Sequence, residues 1–485
     1  MKNVNEKNIE NVSDDNKTKE YPKFGMKDKI SYAIGDMAND FSFIFTSSFL
    51  MVFYTKVLGV NPAVVGTLFL ISRVIDAFAD ITIGRIVDTA KPAKDGRFRS
   101  WIRRMAPFIA LSTFSMFIYG VQDASMPVKV AYIYVTYIIW GILYSSINIP
   151  YGSMASVISP NPDERASLSV FRSSGAAVAS IIISFLVPKL IFKSEIINGV
   201  AAQVIIPVRF TIIAAAFAVT SFILYRICYS FSVERVQAAP KESAESTTIG
   251  KEMKAITRLF FSDRSLLTLI GIAILLLLST LLVGTMNAYV YPEYFNSSTG
   301  LAIAGIFGTL GTLILAPFAG KIASKFGKKE SGGLSLIFAG LLYAGLYFTH
   351  VQSLTTFLTI IFLANLGQGY FMIIIWAFIT DVIDNMEIKN GVREDATVYA
   401  CYSFARKIGQ ALAGGLGGYA LTVIGYQQTA QVQTEAVKNG LYQVYTVAPA
   451  VGLTLAGIIL LTIYPLGKKK VLENNAILLA RREGK

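Results

Sequence analysis

Asp76 and Asp80 lie in the stretch LISRVIDAFADITIGRIVD (70–88), which is apolar enough for a membrane and also carries Arg73. Four residues apart, the two carboxylates share one helix face, one turn above the other. An Asp at the centre of a membrane helix costs about 2.5 to 3.5 kcal/mol on an insertion scale, so the pair costs roughly 5 to 7 kcal/mol. Such groups are not filler. The chemistry they fit is capture of a cation in a water-filled cavity. The same spacing also fits a helix-end position, or a structural knot closed by Arg73.

Other polar groups fall inside apolar runs. Asp36 and Asp40 repeat the spacing of four in the first run. Asp40 lies deeper and suits a cavity, with Asp36 nearer the membrane interface. Arg172 sits in VFRSSGAAVAS, whose small residues permit close helix packing. It fits pairing with Asp76 or Asp80 as well as it fits a ligand. Lys407, after Arg406 and before GQALAGGLGGYA, reads as a cavity lysine or as a snorkelling one. In the fourth run, Trp140 precedes YSSINIPYG (144–152). Pro150 removes a backbone donor and Gly152 adds freedom. A broken or kinked helix there exposes backbone groups to a wet cavity, with Asn148 and Tyr151 as hydrogen-bonding groups. A plain proline kink without a ligand is the alternative.

The elements that must position these groups are membrane helices. The chain has 485 residues, 53% hydrophobic and 15% charged, against about 25% charged in soluble domains. About twelve membrane-length segments are expected, near 29–55, 62–88, 105–121, 129–156, 168–193, 206–232, 264–291, 299–324, 332–349, 354–383, 397–425 and 440–466. The fold class is therefore an all-α polytopic membrane protein. Residues 1–27 form a polar tail, 28–232 a six-helix half, 233–262 a central linker, 263–467 a second six-helix half and 468–485 a second tail. Lys and Arg concentrate in alternate loops, such as GRFRSW (96–101), so both termini are expected in the cytoplasm. GRIVD before GRFR and GKIAS before GKK echo each other once per half, the pattern of a transporter built from repeats. The connection TDVIDNMEIKNGVREDATVYA (380–400) reads as a gate held by ion pairs, or as a solvated loop.

Composition also excludes. The net charge of +13 is spread over topology-setting loops rather than one basic face, so no nucleic-acid partner is expected. One histidine, His350, and two cysteines in apolar segments, Cys228 and Cys401, leave no catalytic triad, metal cluster or disulfide framework. The chain is not expected to be an enzyme or to need a cofactor.

The chain resembles the glycoside–pentoside–hexuronide:cation symporter family, within the major facilitator fold. The resemblance runs from about Lys29 to Gly467. It rests on SYAIGDMANDF, GTLFLISRVIDAFAD, GRFRSW, WGILYSSINIPYGSM, VFRSSGAAVAS and SFARKIG. NIPYGS looks more like the glucuronide and xyloside carriers than the melibiose permease. The resemblance implies that Asp76 and Asp80 bind the coupling cation, with the Ser145 hydroxyl close by. It implies that Asp40 and Arg172 contact sugar hydroxyls, and that Lys407 sits near both sites. Asn148 stands where the melibiose permease has a sugar-binding aspartate, and Gly152 where it has a tryptophan that packs on the sugar. Losing that charge suits a glycoside carboxylate, while neutral xylosides remain compatible.

The expected activity is symport by alternating access. From an outward-open cavity, a cation binds between Asp76 and Asp80, and sugar engages Asp40, Asn148, Tyr151 and Arg172. Sodium and proton are both open as the cation; sodium makes Asp76 and Asp80 metal ligands. The expected partners are a glycoside, a monovalent cation and membrane lipid, with the protein a monomer in a bacterial cytoplasmic membrane. A non-transporting sugar sensor, or a lipid or drug carrier on the same fold, are the competing readings.

Overall fold

The computed structural model describes residues 22–93, 95–197, 199–236, 263–391 and 395–482. The polar tail before residue 22, most of the central linker, Lys94 and residues 392–394 of the acidic connection lie outside the described residues.

Thirteen α-helices are described. The first six are α1 (Met26–Val52), α2 (Pro62–Thr89), α3 (Phe98–Ser115), α4 (Met126–Ile158), α5 (Pro162–Ile191) and α6 (Pro207–Phe231). The second six are α7 (Arg264–Glu293), α8 (Ser298–Phe326), α9 (Lys328–Thr349), α10 (Leu354–Asn390), α11 (Asp395–Val423) and α12 (Glu435–Thr462). Their starts carry ordinary signals. Asn61 accepts from the Ala63 N–H at 2.9 Å with Pro62 at the first helical position, and Asn161 with Pro162 repeats the device on α5. Eight helices, α4 to α10 and α12, are long and apolar enough to cross a membrane by length and composition alone. The helices outside that set include α1, α2 and α11, which carry Asp36, Asp40, Arg73, Asp76, Asp80 and Lys407. The charges of the candidate site lower the hydropathy of these three helices.

The fold is all-α as expected, with one addition: β1 (Phe192–Ile197) and β2 (Val200–Ile205) pair antiparallel between α5 and α6, from Phe192↔Ile205 to Ile197↔Val200. The tail expected from 468 contains α13 (Lys468–Arg482), docked by Asn474 on Asn385 at 3.2 Å and by buried Leu478. The third segment begins at Phe98 rather than 105, because the Glu234 carboxylate accepts the N–H groups of Arg97, Phe98 and Arg99 at 2.7 to 2.9 Å. These are the unsatisfied donors of the α3 start. Pro150 does not break α4, which runs unbroken through it.

The helices cross back and forth, so the start of α1, the end of α6, the start of α7 and the end of α12 share one side with α13. This is called the terminal side here, and the opposite one the hairpin side. The halves share a frame on the terminal side. Arg99 donates to the Tyr229 carbonyl near the end of α6 at 2.8 Å, and Lys329 to the Tyr464 carbonyl just past α12 at 2.6 Å. Asp28 at the start of α1 pairs with Arg235 at 2.9 Å, and Asp263 at the start of α7 with Lys389 at 2.7 Å.

The halves meet through α2 against α11, α5 against α8 and α1 against α7. Glycine sets the α2–α11 approach: a Cβ at Gly66 would meet the Gly415 carbonyl oxygen at 2.7 Å, and one at Gly418 would collide with the Pro62 carbonyl. On the hairpin side Lys56 pairs with Glu293 at 2.6 Å, Thr55 with Tyr289 at 2.8 Å, and Asn296 donates to the Ala201 carbonyl at 2.8 Å. Ser180 and Thr309 join α5 to α8 at 3.0 Å. Among the described residues the deepest such link is Asp80 with Lys407. The space between the halves is thus closed by side-chain links on the hairpin side, and Asp80, Lys407 and Arg172 keep part of their surface exposed beyond them.

Candidate functional site

Three ion pairs converge on that space. On α2, Asp76 Oδ2 accepts from Arg73 Nη1 at 3.4 Å, one turn back on the same helix. Asp80 is paired with Lys407 Nζ of α11, across the halves. On α5, Arg172 Nε donates to Asp36 Oδ1 of α1 at 2.9 Å. Asp80 and Lys407 keep 29% and 34% of their side-chain surface and Arg172 39%, so all three reach open space within a membrane bundle.

Asp76 Oδ1 is buried and has no hydrogen-bond partner among the described residues. It lies against Gly141 of α4, where an added Cβ would collide with it. A buried acceptor without a donor is costly, about 1 to 3 kcal/mol and more when charged. Ser145, one turn beyond Gly141 on the same helix, is buried. Asp76, Asp80 and Ser145 are oxygen donors, the chemistry that a hard monovalent cation needs. Among the described residues no three His, Cys, Asp or Glu side chains form a metal cluster. Two carboxylates and a hydroxyl suit a weakly held ion or a proton better than a tightly bound divalent metal.

Asp40 is half-buried within electrostatic range of Asp36 and Arg172, and makes no hydrogen bond or ion pair among the described residues. Asn148 is likewise half-buried and unbonded there. Both are available to a ligand. Gly152, on the same helix as Asn148, leaves open space beside Arg172: a Cβ there would lie 3.9 Å from Nη1.

Two placements differ from expectation. Arg172 pairs with Asp36, not with Asp76 or Asp80, because α5 packs on α1 while α2 packs on α4 and α11. Asp36 is accordingly a buried partner rather than an interface group. Tyr151 is 0% exposed. Its ring stacks on Tyr32 at 4.8 Å, its hydroxyl donates to the Tyr32 carbonyl at 2.5 Å, and the Arg172 guanidinium lies over its ring at 5.4 Å. It braces the arginine and does not face the open space. Of the acidic connection, Asp381 pairs with Lys328 at 2.6 Å and Lys389 with Asp263, both within the second half. The side chains of Arg393, Glu394 and Asp395, on which the expected gate also draws, lie outside the described residues. Arg406 stacks on Trp376 at 5.9 Å, leaving Lys407 alone of the two basic neighbours to reach α2.

Sequence reasoning missed the second half's contribution. A cavity of about 220 Å³ lies between α1, α5, α7, α8 and α10, and Asn287, Asn365 and Gln368 line it. The available signal was amide side chains inside membrane-length apolar runs, which are expensive there. The Lys56–Glu293 link left no such signal, since charges at helix ends are ordinary.

Comparison with known proteins agrees with this architecture. The family model described as "MFS/sugar transport protein" matches residues 31–468. A glucuronide carrier protein homolog of Escherichia coli is 31% identical over 455 residues, which cover 92% of this chain and 93% of that one. The isoprimeverose transporter of Lactiplantibacillus pentosus is 29% identical over 445 residues, covering 90% and 88%. Among solved structures, a bacterial homolog of the human lysosomal transporter Spinster, in an inward-facing and occupied conformation, superposes with a TM-score of 0.66 at 13% identity, over 92% of this chain and 97% of that one. A D-xylose-proton symporter does so with a TM-score of 0.62 at 11% identity, over 90% and 98%. At these identities the structural likeness is one of fold. With twelve helices in two halves and a family match over nearly the whole chain, this protein belongs to the MFS/sugar transport proteins, as a glycoside–pentoside–hexuronide symporter of the major facilitator fold.

Proposed function

We propose that this transporter carries a glycoside, of the glucuronide or xyloside type, together with sodium or a proton. The observation that carries the reading is the Asp80–Lys407 pair beside the unpartnered Asp76 oxygen. In the present state Lys407 supplies the positive charge that Asp80 needs. A cation entering between Asp76 and Asp80 takes over that role and relieves the repulsion of two carboxylates one turn apart. Lys407 is then released, and with it a link between α2 and α11. The cation site is in this way wired to the movement of one half against the other.

The sugar binds next to it. Asp40 accepts hydroxyl protons, Asn148 both donates and accepts, and the terminal nitrogens of Arg172 face the room left by Gly152. Asp36 holds the guanidinium through Nε and Tyr151 braces its face, so the arginine is oriented before the ligand arrives. A neutral Asn148 near a positive Arg172 tolerates a ligand carboxylate, and this favours the hexuronide side of the family. Ser145 completes the oxygen set around the cation. Coupling is reciprocal: cation tightens sugar as much as sugar tightens cation. The terminal side is cytoplasmic, in keeping with the basic loops. The protein works as a monomer in a bacterial cytoplasmic membrane, surrounded by lipid.

Uptake into proteoliposomes tests this. Labelled β-glucuronides, xylosides and α-galactosides are offered under an imposed sodium or proton gradient. Accumulation of a glucuronide or xyloside driven by one of the two gradients is expected. Accumulation indifferent to both gradients, or of no glycoside by a folded protein, would contradict the reading.

A further inference from the structure

The cavity between the halves begins one turn beyond Asp40. Ile44 and Ser48 of α1 line it, and they stand about 6 and 12 Å along the helix axis from Asp40. Its other walls come from α5, α7, α8 and α10, with Tyr343 of α9 and Tyr445 of α12. At about 220 Å³ it exceeds the engineered cavity of about 150 Å³ that holds a benzene ring. None of the residues that line it is charged. The polar groups are amides and hydroxyls: Asn287, Asn365, Gln368 and Ser184 among them. The Gln368 amide nitrogen donates to Thr280, which fixes its orientation. Asn287 Oδ1 is buried without a hydrogen-bond partner among the described residues.

Two glycines keep the space open. Gly284 of α7 and Gly308 of α8 both line the cavity, and a Cβ added at either meets nothing within 4 Å. Glycine inside a helix is unfavourable relative to alanine. Packing does not require it at these two positions, whereas Gly305, one turn from Gly308, sits directly against Ser184.

We infer that this amide-lined cavity is a second subsite, which takes the neutral second ring of a disaccharide or glycoside whose first ring sits at Asp40, Asn148 and Arg172. The chemistry matches. Amide side chains donate and accept at once, as sugar hydroxyls do, and the absence of charge among the lining residues suits a neutral ring rather than a carboxylate. The place matches too, since it continues the first site along α1 toward the closed hairpin side. The inference rests on the glycoside reading above and extends it: the first half reads the first ring, and the second half reads what is attached to it.

The test uses purified full-length protein and matched ligand pairs, a methyl glycoside and a disaccharide sharing its first ring, in the glucuronide and xyloside series. Binding is measured by calorimetry. The wild type is expected to bind the disaccharide more tightly. Gly284→Leu and Gly308→Leu, which fill the cavity, are expected to lower the disaccharide-to-methyl-glycoside affinity ratio at least tenfold. Asn287→Ala and Asn365→Ala are expected to lower it about threefold or more, on the scale of one lost hydrogen bond. Gly284→Ala and Gly308→Ala add a single carbon in open space, and serve where leucine prevents folding; a smaller drop in the same ratio is expected. An unchanged ratio in folded glycine and asparagine variants overturns the subsite, as does a wild type indifferent to the second ring. A wild type that binds no glycoside of either length instead overturns the glycoside reading itself.

Discussion

The two halves of this transporter share a frame and differ in chemistry. Arg99 of α3, bonded to the end of α6, and Lys329 of α9, bonded just past the end of α12, make the same kind of contact, and Asp28 and Asp263 anchor α1 and α7 in the same way. Yet Asp36, Asp40, Asp76, Asp80 and Arg172 all belong to the first half. The second half adds one lysine, Lys407, and a neutral wall of amides. The frame is what rocking of two similar bodies requires. The chemistry of the site diverges within that frame. Charge gathers in one half, and the Asp80–Lys407 pair joins that charge to the other.

The comparison is broken most severely by removing the charge that α2 contributes. Asp76→Asn or Asp80→Asn is expected to abolish gradient-driven accumulation, with loss of a coupling worth about 1 to 3 kcal/mol, or roughly 5- to 150-fold in affinity. Proteoliposome uptake under an imposed gradient reads it out; unimpaired accumulation in both variants would show that the cation binds elsewhere. Gly141→Ala comes next. Its methyl collides with the Asp76 carboxylate, and forcing extra volume into a packed site costs about 1 to 3 kcal/mol. Cation affinity should fall while sugar affinity at saturating cation holds, measured by titrating each in turn. Equal loss of both would assign Gly141 to helix packing alone.

A finer test sharpens the difference in charge. Asn148→Asp adds a carboxylate near the sugar and is expected to weaken glucuronide binding about tenfold, about 1.4 kcal/mol, while a neutral xyloside changes little. If the two ligands shift together in competition assays, this position does not select for charge. The smallest effect lies in the frame. Burial works against the charge on Asp263, but hydrogen bonds from Lys389, Ser265 and the Leu266 N–H outweigh it and hold the carboxyl below its usual range. A carboxyl depressed in the folded state stabilises above its unfolded pKa, and that contribution is lost as pH falls through the folded value. Lys389 is half exposed, so the contribution stays under about 1 kcal/mol. Asp263→Asn should lower the melting temperature by a degree or two at pH 7, roughly. The gap should narrow as the pH falls through the depressed folded value, and thermal shift at pH 7 and at about pH 2 measures it.

Much of this was legible in the sequence. Eight of the twelve segments follow from apolar length and composition, and α1, α2 and α11 among the others carry charges that mark the site. Asp76 and Asp80 stand out because four residues make one turn and because charge in an apolar run is expensive. The glycines of GQALAGGLGGYA announce a close helix neighbour, and α2 is that neighbour. Partner choice was not legible. Arg172 fits any nearby carboxylate by type, and only the packing of α5 on α1 selects Asp36. Lys407 reaches a residue 327 positions away in the chain. Tyr151 looked like a ligand group because a tyrosine beside a proline in a membrane helix is polar by composition, and its burial depends on where Tyr32 falls. The hairpin of β1 and β2 was hidden at the ends of two apolar runs. The amide wall was visible as residue types and went unread because each amide stands alone in its helix.

Reciprocal binding tests the central claim most directly. Affinity for the transported glycoside is measured by calorimetry as a function of sodium at fixed pH, and as a function of pH without sodium, in the wild type and in Asp76→Asn and Asp80→Asn. The account predicts that one of the two titrations raises wild-type sugar affinity about fivefold or more, and that both variants lose that dependence while still binding sugar. A sugar affinity independent of both ions, or a dependence that survives in both variants, would contradict the assignment of the cation to α2.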